Sequence, residues 1–177
     1  MKTDAVPHPL AKFHGKKLLL DTNLLLPHFI GCFYRSHGQS PKHGAFKEEE
    51  FVLLAQIIEH FKKAGRILTT PHLLTEVSNL SRKALGQNRI AFLSFIRLLI
   101  KDFDEKFDAR RIGAERLSSH DCFPRFGLAD AAIIDLSYDS LVVLTNDKEM
   151  VRYLREEKKR RNVFSFDEIK VRCLLTS

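Results

Sequence analysis

Apolar residues fall along this chain in two rhythms, and the alternation between them predicts the elements. The segments KLLL at 17–20, RILT at 66–69, LVVLT at 141–145 and VFSF at 163–166 are short, nearly unbroken apolar runs. They have the form of strands buried on both faces, because a parallel strand covered by helices has no solvent side to show. Between them the spacing lengthens. Phe51, Leu54, Ile58 and Phe61 recur at three and four residues, which predicts a helix over 46–64 closed near Gly65. Ile90, Leu93, Ile96, Ile100, Phe103 and Phe107 mark a longer amphipathic helix over 88–107.

Boundary residues sharpen the pattern. Thr70 followed by Pro71 reads as the cap and first residue of the helix after the second strand. A helix over 127–139 leads into the strand at 141–145. Asn146 with Glu149 has the form of a capping box for the next helix, and Asp167 that of a cap for a short terminal helix. Two stretches carry no period: 31–45 (GCFYRSHGQSPKHGA) reads as an exposed loop following the first strand, and 108–126 as a polar connection. Strands alternating with helices predict an α/β fold whose mostly parallel sheet is covered on both faces. The expected division is an N-terminal extension over 1–15 and a single domain over 16–177.

Composition changes this picture in two places. The three cysteines, Cys32, Cys122 and Cys173, are odd in number and widely spaced, which argues against a disulfide framework. The N-terminal segment carries charge, proline and histidine where a signal peptide would be apolar, and no run approaches a membrane span. A cytoplasmic protein without a membrane partner is therefore expected. The formal net charge of +7 favours a polyanionic partner, although its densest run, Lys158 to Arg161, is of a kind most often found as a solvated helix end.

Against that basic background stand four acids at strand ends or in flanking helices: Asp21, Glu76, Asp130 and Asp147. In open α/β sheets, chemistry gathers at the carboxyl ends of parallel strands. Each acid has an ordinary structural explanation, as turn former, cap, edge residue or dipole partner. Jointly they describe a pocket of like charges, which repel pairwise by about 1 kcal/mol in water and about 4 kcal/mol at a protein-like dielectric. A divalent cation with oxygen ligands, Mg²⁺ or Mn²⁺, would relieve that repulsion. Arg82, Lys83, Arg89 and Arg125, near the ends of the helices that carry Glu76 and Asp130, are candidate contacts for a nucleic-acid backbone. A zinc site from His28, Cys32, His37 and His43 matches no standard finger or knuckle spacing. A phosphatase would need an acid where Asn23 stands, and a receiver domain would need an acidic pair before Asp21.

The segments LLLDTN, LLTEV, LADAAII and LTNDKEM, followed by NVFSFDEI, resemble the successive motifs of PIN-domain nucleases over roughly 16–170. The resemblance implies a three-layer α/β/α sandwich and a Mg²⁺- or Mn²⁺-dependent endoribonuclease. It implies that Asp21, Glu76, Asp130 and Asp147 are catalytic and hold the metal. Asn23 matches a position that supports the first aspartate, and Thr145 one that orients the last acid or a water. RNA is the implied substrate, with homodimerisation and an inhibitory protein as further partners. The loop after the first strand makes this chain longer than compact toxin-like members, which argues against a toxin role. The alternative is a PIN-like module that binds RNA or protein without cutting.

Overall fold

The fold is read from a computed structural model, which describes residues 10–13, 15–44, 46–62, 66–109 and 112–174, with the side chains of 11, 100–109 and 174 left aside. Five strands form one all-parallel sheet in the order β3-β2-β1-β4-β5: β1 (Lys17–Leu20), β2 (Ile67–Thr69), β3 (Phe107–Ala109), β4 (Leu141–Thr145) and β5 (Val163–Ser165). The helices are α1 (Thr22–Ser36), α2 (Glu48–Lys62), α3 (Pro71–Leu85), α4 (Arg89–Lys106), α5 (Ala114–Ser118), α6 (Phe123–Leu136), α7 (Lys148–Arg152) and α8 (Phe166–Leu174). A π-helical turn, Tyr153–Glu157, extends α7.

Strand alternation sorts the core into two halves. Leu18, Leu20, Ile67, Val142 and Leu144 face one layer, where α1, α2, α4 and α8 supply Phe29, Ile58, Phe92 and Phe166. Leu19, Leu68, Leu141, Val143 and Val163 face the other, against Ile133 of α6, Met150 of α7 and Leu117 of α5. Helices thus cover both faces, as the unbroken apolar strands require. Leu10 is fully buried in the first half, and the Phe13 ring lies 5.4 Å from that of Phe164, so these residues of the expected extension pack onto the domain. Among the described residues no helix is long and apolar enough to cross a membrane.

Several expectations are corrected. The residues 31–36, expected in a loop, complete α1, a helix the sequence hid behind Pro27 and Gly31. The connection expected over 108–126 contains the end of β3, the short helix α5 and the first turn of α6. Gly127, at φ 77°, interrupts α6, so Asp130 lies in the first turn of the segment that follows, as its sequence position suggested. The capping box at Asn146 does not form. Asp147 is the cap of α7, its Oδ1 accepting from Glu149 N at 2.7 Å and Met150 N at 3.0 Å. Glu149 instead takes Arg125. Asp167 lies inside the first turn of α8 and does not cap it. The expected closure near Gly65 falls outside the described residues. Thr70 does cap α3, accepting from Leu73 N at 3.3 Å with Pro71 at the first helical position.

Candidate metal-binding site

The strand order places the site. β1 leads to β2 on one side and lies beside β4 on the other, and an open α/β sheet has a crevice outside the carboxyl ends at such a switch point. The register pairs Leu20 with Leu144, and Asp21 N donates to Leu144 O at 3.1 Å. Asp21 therefore emerges beside Thr145, whose hydroxyl donates to Asp21 Oδ2. The same Thr145 Oγ1 accepts from Asp147 N at 2.9 Å and from Asn23 Nδ2 at 3.3 Å, and Asn23 Oδ1 accepts from Asn146 N at 3.0 Å. One threonine thus ties the first acid to the main chain carrying the last. Asn23 supports Asp21 through Thr145 and not by direct contact, and Thr145 holds both the first acid and the main chain of the last, the acid that the resemblance implied it orients.

Glu76 reaches the same edge from α3. Thr22 Oγ1, in the first turn of α1, donates to Glu76 Oε2 at 2.7 Å. Thr22 was not among the sequence candidates, because its role becomes visible only once α1 is known to begin there. Asp130 comes from α6, which packs beside α3. Asp21 is only 3% exposed.

Electrostatics couples the four acids. Burial pushes the Asp21 carboxyl up to about 6; the Thr145 hydroxyl and the main chain of Thr22 oppose this, while Glu76 and Asp147 add to it. Burial pushes Asp130 up to about 7, and repulsion from Asp21, Glu76 and Asp147 adds further. Among the described residues none of the four forms an ion pair with a lysine or arginine. Two buried polar atoms at the same edge also lack a hydrogen-bond partner among the described residues: Thr69 Oγ1 at the end of β2 and Asn146 Oδ1 just before Asp147. Hydroxyl and carboxylate oxygens with unrelieved negative charge fit a hard divalent cation. Among the described residues no three His, Cys, Asp or Glu side chains stand at direct metal-holding spacing.

The other candidates fall elsewhere. His28 and Cys32 touch at 3.8 Å one turn apart on α1, and burial pushes His28 down to about 3. His37 turns back onto Phe33, its Nδ1 2.8 Å from the Phe33 carbonyl oxygen, and His43 bridges to Phe46, so the four residues considered for zinc form no common centre. Arg125 is engaged by Glu149 at 2.7 Å and Glu157 at 3.4 Å, with its guanidinium over the Phe126 and Tyr153 rings. Arg82 and Lys83 are exposed in the last turn of α3, about 9 Å along the helix axis beyond Glu76. Arg89 begins α4 with its Nε buried and without a hydrogen-bond partner among the described residues. No protein-family model, curated protein or solved structure matches the chain.

Proposed function

We propose that the chain is a Mg²⁺- or Mn²⁺-dependent endoribonuclease with a PIN-like α/β/α domain. The observation that carries the reading is the group of four acids around the switch point of the sheet, where burial first, and the other acids' charges after it, raise Asp21 and Asp130, with no ion pair to a lysine or arginine among the described residues. Asp21, Glu76, Asp130 and Asp147 would hold the ion. When bound, it supplies a coordinated water of lowered pKa and neutralises charge on a phosphodiester.

The remaining work falls to the chain. Thr145 fixes Asp21 through Oδ2, and Thr22 occupies Glu76 Oε2, which leaves Glu76 Oε1 without a hydrogen-bond partner among the described residues. Capping occupies Asp147 Oδ1 and leaves Oδ2 in the same condition. Glu76 and Asp147 are thus each held at one oxygen and offer the other. Asp130, raised to about 7, carries a proton for part of the time at neutral pH. A cation held there would require that proton to leave, so its affinity would rise with pH through this range.

Labelled single-stranded RNA incubated with Mg²⁺, Mn²⁺ or chelator tests the reading. Metal-dependent fragments bearing 5′-phosphate and 3′-hydroxyl ends, identified by mass, are expected, because water is the nucleophile. Cleavage that survives chelator, or 2′,3′-cyclic phosphate ends, would contradict it. Metal-independent RNA binding without any cleavage would favour the non-catalytic module.

A further inference from the structure

The edge of the sheet opposite the acids carries a cluster the nuclease reading does not use. Lys158, Lys159, Arg160 and Arg161 lie between the π-helical turn and β5, before the amino end of that strand. Lys16, just before β1, joins them: its Nζ and Asn162 Nδ2 both donate to the Asp139 main-chain oxygen. None of these five cations forms an ion pair with a carboxylate among the described residues. Glu157, the adjacent acid, is turned toward Arg125 at 3.4 Å.

Three features hold the cluster in place. Lys158 Nζ sits 5.4 Å from the centre of the Tyr153 ring. Arg160 N donates to Leu154 O at 2.9 Å, and its side-chain Nε is buried without a partner among the described residues. Lys159 has φ 54° and is the one non-glycine residue with positive φ among those described. Glycine would take that conformation without the steric strain a lysine meets there.

We propose that Lys16 and the 158–161 turn form a second nucleic-acid contact, which grips the sugar-phosphate backbone at the amino edge of the sheet, away from the acids. Lys148, beside Asp147, and Lys158 stand at the two ends of α7 and its π-helical turn. A single strand engaging both edges would be anchored several nucleotides from the acidic pocket. The exposed cations here bind phosphate as point charges without reading sequence, so RNA and single-stranded DNA share the ligand chemistry.

The test is fluorescence anisotropy with a labelled single-stranded RNA oligomer in chelator, across a salt series, repeated with DNA of the same sequence. The variant Lys158→Gln/Lys159→Gln/Arg161→Gln keeps Arg160, whose Nε is buried. It should bind about tenfold more weakly, and the slope of log affinity against log salt should shrink by about 2, near 0.7 per lost contact on a single strand. Removing three exposed cations elsewhere, Lys42→Gln/Lys47→Gln/Arg97→Gln, should cost less than about threefold. Lys159→Gly, which preserves the turn, should weaken binding without lowering the melting temperature. Equal losses from both triple variants would mean that net charge alone attracts the strand, and no loss from the first would mean that the cluster is only solvated; either result overturns the proposal. Loss on RNA and DNA alike identifies the backbone as the ligand. The proposal is independent of the nuclease reading. A short RNA that cannot span both edges should be cut by the first triple variant at the wild-type rate, so failure of the cluster leaves the nuclease standing, and binding without cleavage does the reverse.

Discussion

At the carboxyl edge of the sheet four acids lie partly or wholly buried without an ion pair, whereas at the amino edge the cluster is basic and mostly exposed. The difference is energetic as well as topological. Asp21, 3% exposed, is pushed toward its neutral form by burial, and the raised carboxyls of Asp21 and Asp130 let protons ease the repulsion among the four acids. Lysines and arginines in water repel weakly and stay ionised. A buried cluster of one sign stores repulsion that a ligand can relieve, which points to a specific ion. An exposed cluster of the other sign stores little, which points to a salt-sensitive, sequence-tolerant contact.

The largest expected effect breaks the acidic side alone. Asp21→Asn and Asp130→Asn should each reduce RNA cleavage by about a thousandfold or more, since loss of a ligand removes both water activation and charge neutralisation. Anisotropy should show RNA binding unchanged or tightened, because a negative charge near the phosphate has gone. Parallel loss of binding and cleavage would mean that these residues hold the fold and not the chemistry.

The second effect is on stability and should appear only without metal. Asp21 and Asp130 are raised in the folded protein to about 6 and about 7, above the unfolded value near 4. Between these values the folded state binds more protons than the unfolded one, so stability falls as pH rises. The loss begins near pH 4 and is complete above pH 7. For Asp21 the shift corresponds to about 3 kcal/mol, and solvent screening makes the Asp130 share smaller than its shift alone suggests. Urea denaturation at pH 5 and pH 8 in chelator should show the decline, with Asp21→Asn flattening it. Stability that rises over this range would contradict the coupling.

The smallest expected effect concerns support of the acids. Thr22→Val leaves Glu76 Oε2 without its donor, and loss of such an outer partner typically weakens metal affinity by about tenfold or more. Calorimetric titration with Mn²⁺ checks this, and unchanged affinity would remove Thr22 from the site.

The sequence and the structure agree where local chemistry decides the element and part where distant contacts do. β4 is legible in an unbroken LVVLT, and the start of α3 in Thr70 and Pro71. The helix α1 is not, because Pro27 and Gly31 are the residues that ordinarily end helices and LLLPHFI has no clean period. β3 is three residues, FDA, whose strand form comes from pairing with β2. Asn146 and Asp147 are equally plausible caps by propensity; Asn146 donates its main-chain N–H to Asn23, across from β1, and Asp147 caps. The acids could be read because each stands at the end of an apolar run or on a stripe. Thr22 could not, since its partner lies 54 residues away and depends on an unread helix.

The most direct test of the central claim is a crystal soaked in Mn²⁺ and measured for anomalous scattering. The expected result is a peak at the carboxyl edge between β1 and β4, bordered by Asp21, Glu76, Asp130 and Asp147 and lost in Asp21→Asn crystals. No peak there at millimolar Mn²⁺, or Glu76 and Asp130 turned away from Asp21, would contradict a metal centre built from these four acids.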